Sequence, residues 1–86
     1  MNTLIIVKMN NVTFDEWKKK FDEDAEVQSK MMKNTIVGKV DNHMAMISTE
    51  VFNSEMVQEF MSSQEFQKME NELGLIHEVY QLSKLD

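Results

Sequence analysis

The chain begins with a segment that is apolar on both of its faces. A β-strand directs alternate side chains to opposite faces, so Ile5 and Val7 lie on one face and Leu4 and Ile6 on the other. A sheet face in contact with water is polar at every second position. The pattern therefore predicts a strand that is covered on both faces, with cover on one face coming from outside the chain.

The spacing of apolar residues in the rest of the chain predicts the order strand, helix, strand, strand, helix, strand. The first helix begins at Thr13, which forms a capping-box pattern with Glu16. Its apolar stripe consists of Phe14, Trp17, Phe21, Ala25 and Met32. The last three strands are predicted over residues 35–40, 43–51 and 75–83.

The apolar residues of the second helical region do not form a single stripe. They fall into two sets on different faces, namely Val57, Phe60 and Met61, and then Phe66, Met69 and Leu73. Two short helices with a break near Ser62-Ser63 fit this spacing better than one long helix. Ser62 and Glu65 offer a second capping box, and Gly74 is the predicted end of the region.

This order of elements predicts an α+β fold for a single domain over residues 1–86, a ferredoxin-like βαββαβ sandwich. Right-handed crossovers give a four-stranded antiparallel sheet with strand order 4-1-3-2 and all helices on one face. The first strand is then central, and its second face is open. A second copy of the chain is the simplest cover for that face, so we expect a homodimer that packs through the open sheet face.

Charge and composition narrow the range of partners. The net charge is −6, and all nine basic residues are lysine. An acidic chain without arginine argues against a nucleic-acid partner. A membrane-spanning helix needs about 20 consecutive apolar residues, and no apolar run in the chain approaches this length. The first residues do not have the pattern of a signal peptide. The chain also has no cysteine, and we expect a cytoplasmic protein that binds neither nucleic acid nor membrane.

The chain resembles the dimeric α/β-barrel superfamily, and within it the proteins that are similar to antibiotic-biosynthesis monooxygenases. The resemblance rests on the apolar first strand, the aromatic stripe Phe14-Trp17-Phe21 and residues 60–66, with the sequence Phe-Met-Ser-Ser-Gln-Glu-Phe. Among members, the chain is most similar to small families of unknown function. The resemblance implies that two sandwiches pack their open sheet faces into a shared barrel. It also implies a pocket between the helices and the sheet.

Four residues are candidates for such a pocket: Trp17, His77, Glu78 and Tyr80. Trp17 is either the wall for a flat ligand or, more commonly, a core aromatic residue at helical spacing. His77 is either a general base or an ordinary strand histidine that is bonded to a neighbour. Glu78 and Tyr80 share the opposite face of the last strand, where Glu78 is either a buried acid or base or an edge-strand carboxylate that reaches water.

The sequence contains no motif that names a reaction. Its two histidines are far apart, and there is no phosphate-binding glycine loop and no nucleophile elbow. We therefore expect no metal and no cofactor. Haem-degrading members of the superfamily place tryptophan on a strand and histidine on a helix, the reverse of Trp17 and His77, so their roles are not transferred.

The expected function is a non-catalytic homodimeric module that binds a small apolar molecule or another protein. The alternative is a cofactor-independent monooxygenase or isomerase that acts on a small apolar or aromatic substrate. A cavity lined by Trp17 together with His77 or Glu78 would favour the enzyme.

Overall fold

The structure is a computed structural model that describes residues 2–83. The elements along the chain are β1 (Thr3–Met9), α1 (Phe14–Glu23), α2 (Ala25–Gln28), β2 (Met32–Asp41), β3 (Met44–Val51), α3 (Ser54–Ser62), α4 (Gln64–Leu73) and β4 (Leu75–Gln81). The predicted α+β class with a four-stranded antiparallel sheet is confirmed. Within residues 2–83, every helix is too short or too polar to cross a bilayer.

The sheet has the order β2-β3-β1-β4, so β1 is bonded on both of its edges. Directly opposite residues share a face, and Ile5 lies opposite both Ile47 of β3 and Val79 of β4. Ile5 is buried under the helices together with Val7 and Met9. The sequence left open which side of β1 the helices cover, and the structure assigns them to the side that carries these three residues.

Helix α1 begins where the capping-box pattern predicted. The Glu16 backbone N–H donates to Thr13 Oγ1 at 3.5 Å, and the Thr13 backbone N–H donates to Glu16 Oε1 at 3.1 Å. These bonds satisfy two N–H groups that the first turn leaves without helical partners. One turn later, the buried Trp17 ring packs 5.8 Å from Phe14 and 5.1 Å from Phe21, measured between ring centroids.

The predicted stripe of α1 is wrong at its C-terminal end. The helix ends at Asp24, after which Ala25 is exposed and Met32 already belongs to β2. Strand β2 begins three residues earlier than the pattern predicted. Its register with β3 shifts between Lys33 and Ile36, within these first residues. Such a bulge interrupts the alternation of side chains, so the first residues of the strand do not fit a period of two.

The second helical region is broken as predicted, but the cap of its second helix is Ser63 and not Ser62. Ser63 Oγ accepts the Phe66 backbone N–H at 3.2 Å. The difference arises because Ser63 has extended backbone angles, whereas Ser62 is the last helical residue of α3. Gly74 ends α4 in the left-handed conformation, with a φ of 64°, and leads directly into β4.

Candidate functional site

A cavity of about 610 Å³ lies between the helices and the covered face of the sheet. Aromatic rings from two parts of the fold line it: Trp17 and Phe21 from α1, and Phe60 and Phe66 from α3 and α4. Four methionines also contribute to the lining, namely Met31, Met32, Met61 and Met69. Ligand-binding cavities have this size and are mostly apolar, and methionine side chains adapt to irregular ligand shapes.

The sheet forms the floor of the cavity. Ile5, Ile47 and Val79 line it, and they lie side by side because they are directly opposite each other in the register of β1, β3 and β4. The floor is therefore rigid, since each of these residues belongs to a hydrogen-bonded strand. Polar side chains at the edge of the cavity, such as Lys20 and Gln58, are exposed to solvent.

His77 lines the cavity from β4 and is hydrogen-bonded to a carboxylate. Its Nδ1 lies 2.8 Å from Oε2 of Glu70, and the side chains of His77 and Glu70 are 10% and 26% exposed. The imidazole ring also packs against Phe66, with the ring centroids 5.2 Å apart. Phe66 in turn contacts Phe60 at 5.2 Å, so His77 completes the second aromatic wall.

Three other polar side chains of the cavity lining bond to the protein itself. Asn2 Nδ2 donates to the carbonyl oxygen of Val51, and Thr3 Oγ1 donates to Asn2 Oδ1. Gln28 Nε2 donates to the carbonyl oxygen of Phe21 at 2.8 Å. Each of these side chains therefore already donates one hydrogen bond to the protein.

Glu78 and Tyr80 lie on the opposite face of the sheet and not in the cavity. They occupy the strand positions that alternate with His77, so their side chains lie on the face that no helix covers. There Tyr80 Oη donates to Glu78 Oε1 at 3.3 Å, and Lys8 Nζ lies 3.6 Å from Glu78 Oε2. Of the four candidates from the sequence, the structure therefore brings only Trp17 and His77 to one site.

Sequence reasoning did not identify Glu70, the partner of His77. The spacing of Glu70 and His77 around Gly74 could have indicated the pair. Gly74 is the residue at which the chain reverses between α4 and β4. Glu70 lies four residues before this glycine and His77 three residues after it, so the reversal brings the two side chains together. The contribution of Phe60 and Phe66 was also missed, because the sequence pattern could not distinguish a cavity wall from a packed core.

The described part of the chain, residues 2–83, contains no group of three or more His, Asp or Glu side chains that could hold a metal ion. Comparisons with protein-family models, with curated proteins and with solved structures found no match to this chain. A function for the cavity therefore has to be argued from its geometry and chemistry.

Proposed function

We propose that this chain is a homodimeric protein of the ferredoxin-like α/β-barrel type that binds a small apolar or aromatic molecule in the cavity between its helices and its sheet. The single observation that carries the proposal is the cavity of about 610 Å³ with Trp17 and Phe66 in its walls. Small-molecule sites are concave, mostly apolar clefts or cavities of about 300–1,000 Å³. An apolar space this large supports a binding role over a purely structural one.

The connectivity supports the assignment of the fold type. The sheet order β2-β3-β1-β4 reads 4-1-3-2 from its other edge, which is the order expected of a ferredoxin-like sandwich. The position of the cavity, between the helices and the sheet, agrees with the place where the resemblance implied a pocket.

The open face of the sheet supports the homodimer. Its exposed residues include Ile36, Met46, Ile76 and Tyr80. With strands about 4.8 Å apart and a rise of about 3.3 Å per residue, the face measures about 19 by 23 Å. The largest exposed apolar patch of a single protein chain is commonly of this size and is often functional.

The charges on this face favour a second copy as its occupant. Two ion pairs lie there, Lys8 with Glu78 and Lys33 with Glu50, so positive and negative groups offset each other on this face although the chain has a net charge of −6. A two-fold axis brings the same patch of each copy together, and a patch that carries both positive and negative groups is complementary to itself.

Ligand binding is tested by NMR titration of the whole protein with 2-methoxynaphthalene. We expect shifts at residues that line the cavity, and weaker binding in a Val79→Trp variant, whose indole occupies the cavity. Phe52→Trp is the control, since Phe52 lies outside the cavity lining and outside the sheet and is similarly exposed, at 55% against 48% for Val79. Shifts that are absent, or that spread over the whole surface, would contradict the proposal.

The homodimer is tested by light scattering at micromolar concentration, where we expect twice the mass of the chain. A Met46→Lys substitution places a charge in the centre of the open face and should give a folded monomer. Phe52→Lys is the control, because Phe52 is exposed in the connection between β3 and α3. A folded monomer of the unmodified chain would contradict the dimer.

The hydrogen bond between His77, which lines the cavity, and Glu70 favours a second function. That function is a cofactor-independent monooxygenase or isomerase. A histidine that is oriented by a carboxylate is suited to remove a proton from carbon beside a carbonyl group. The test is hydrogen exchange of the probe 2-tetralone in deuterium oxide. We expect the protein to accelerate exchange and His77→Gln to abolish the acceleration, whereas an unchanged exchange rate counts against an enzyme.

A further inference from the structure

We propose that the ligand is a flat aromatic molecule that carries a hydroxyl group, a phenol, and that its O–H donates to Nε2 of His77. This inference rests on the proposed small-molecule cavity and adds the chemical class of the ligand. It depends on the tautomer of His77, on the position of Glu70, and on the polar groups that remain open in the cavity.

The bond to Glu70 determines where the imidazole proton lies. A carboxylate only accepts hydrogen bonds, so the contact of 2.8 Å between Glu70 Oε2 and His77 Nδ1 places the proton on Nδ1. In the neutral ring, Nε2 then carries a lone pair and accepts a hydrogen bond. Within residues 2–83, the structure gives Nε2 no protein partner.

Glu70 acts on His77 from outside the cavity. Among residues 2–83, the cavity lining includes His77 and its ring neighbour Phe66 but not Glu70. The two nitrogens of an imidazole point in different directions, so a ring held at Nδ1 from behind directs Nε2 toward the cavity. Glu70 is thus a positioning residue that determines whether His77 accepts or donates.

The remaining lining groups indicate what the ligand presents to His77. Asn2 Nδ2, Thr3 Oγ1 and Gln28 Nε2 each donate a hydrogen bond to a protein atom, and the aromatic walls have no hydrogen-bonding groups except the Trp17 indole N–H. An interior acceptor within aromatic walls favours a ligand with a flat apolar body and one hydroxyl donor. Phenols have this combination, whereas their methyl ethers have the same body without the donor.

The experiment compares 2-naphthol with 2-methoxynaphthalene by NMR titration of the whole protein. A net hydrogen bond contributes about 0.5–1.5 kcal/mol, so we expect naphthol to bind about two- to tenfold more tightly than the ether. In His77→Phe the ratio of the two affinities should fall to about one. His43→Phe, which makes the same substitution at the other histidine, outside the cavity lining, is the control and should keep the ratio of the unmodified protein.

The outcomes separate this inference from the proposed function. Equal affinities in the unmodified protein overturn the phenol inference and leave the binding cavity intact. If neither probe shifts residues of the cavity, both the inference and the proposed function fail.

The role of Glu70 has its own spectroscopic test. The chain has two histidines, and long-range ¹H–¹⁵N spectra in the alkaline range distinguish their tautomers. We expect the proton of His77 on Nδ1, and in Glu70→Ala we expect a shift toward the tautomer protonated at Nε2. His43, whose Nδ1 lies 3.0 Å from the carbonyl oxygen of Val12, should be unaffected by this substitution. A proton on Nε2 of His77 in the unmodified protein would overturn the inference.

Discussion

Both faces of the sheet carry apolar residues, but the two faces have different environments. On the covered face, Ile5, Val7 and Ile47 are buried under the helices and next to the cavity. On the open face, Ile6 and Met46 are neighbours in the register and remain partly or largely accessible. An alternating pattern of apolar residues therefore predicts that a sheet face is covered. The position of the helices decides which of the two faces is covered within this chain.

The largest expected contrast in stability between the two faces comes from substitutions at two neighbouring residues of β3. Ile47 is 3% exposed and Met46 39% exposed. Ile47→Ala should lower the free energy of unfolding by about 3 kcal/mol at every protein concentration, because it leaves a cavity in the core. Met46→Ala should lower it only at concentrations at which the unmodified protein forms dimers.

The measurement is urea unfolding, followed by Trp17 fluorescence, at a low and a high protein concentration. Trp17 is the only tryptophan and lies in the helix layer, so it reports the loss of that layer. Equal losses for both variants at both concentrations would mean that the two faces do not differ as proposed.

The two glycines of the chain allow a second, smaller contrast. Gly74 joins α4 to β4 with a φ of 64°, and an added Cβ would lie 2.9 Å from Asn11 Nδ2. Gly38 lies opposite Met46 on β3, and its added Cβ would meet only the Met46 carbonyl oxygen, at 3.9 Å. We expect Gly74→Ala to lower the free energy of unfolding by about 2 kcal/mol, since alanine is strained at positive φ. Gly38→Ala should raise the free energy of unfolding by about 0.5 kcal/mol, because alanine reduces the conformational entropy of the unfolded chain.

Thermal unfolding of the two glycine variants under identical conditions checks this contrast. The Gly74→Ala variant should also disturb the contact between His77 and Glu70, because that turn sets their relative position. A stability for Gly74→Ala equal to that of the unmodified protein would show that the turn relaxes without strain.

The third and smallest contrast in stability involves the N-terminus of α1, at the surface of the helix layer. The Thr13 backbone N–H, followed by its hydroxyl group, lowers the pKa of Glu16 below its ordinary value. The folded state therefore favours ionised Glu16, and this stabilisation is present above the ordinary glutamate pKa and is lost as the pH falls through the lowered value. Thr13→Ala should cost about 1 kcal/mol of stability by removing the cap.

An NMR titration of the Glu16 carboxyl group checks the pH effect. Its pKa should move part of the way back up in Thr13→Ala, because the backbone N–H remains and only the hydroxyl group is lost. The same variant should leave the oligomeric state unchanged, since Thr13 is in the helix layer. A changed oligomeric state would argue against separate roles for the two faces.

Much of the fold was predictable from local patterns. Thr13 with Glu16 and the glycine at position 74 each marked a helix boundary, because caps depend on a few neighbouring residues. The prediction was wrong where the backbone departs from a regular helix or strand. The bulge between Lys33 and Ile36 moved the start of β2, and the extended backbone of Ser63 moved the cap from the neighbouring serine.

The candidate site was only half predictable. Trp17 and His77 were selected from residue type and face, and alternation correctly separated Glu78 and Tyr80 from His77. The cavity itself was not predictable, because a hydrophobic stripe looks the same whether the space beneath it is filled or open. Glu70 became meaningful only once the turn at Gly74 brought it to His77.

The sequence by itself determined the order of the strands and helical regions, the helix boundaries at Thr13 and Gly74, and the two apolar faces of β1, since each depends on the spacing of nearby residues. Only the tertiary structure decided that Ile5, Val7 and Met9 face the helices, that a space remains between Trp17 and Phe66, and that a carboxylate holds His77. These features depend on distances between segments remote in the chain, and the packing of whole helices against the sheet sets those distances.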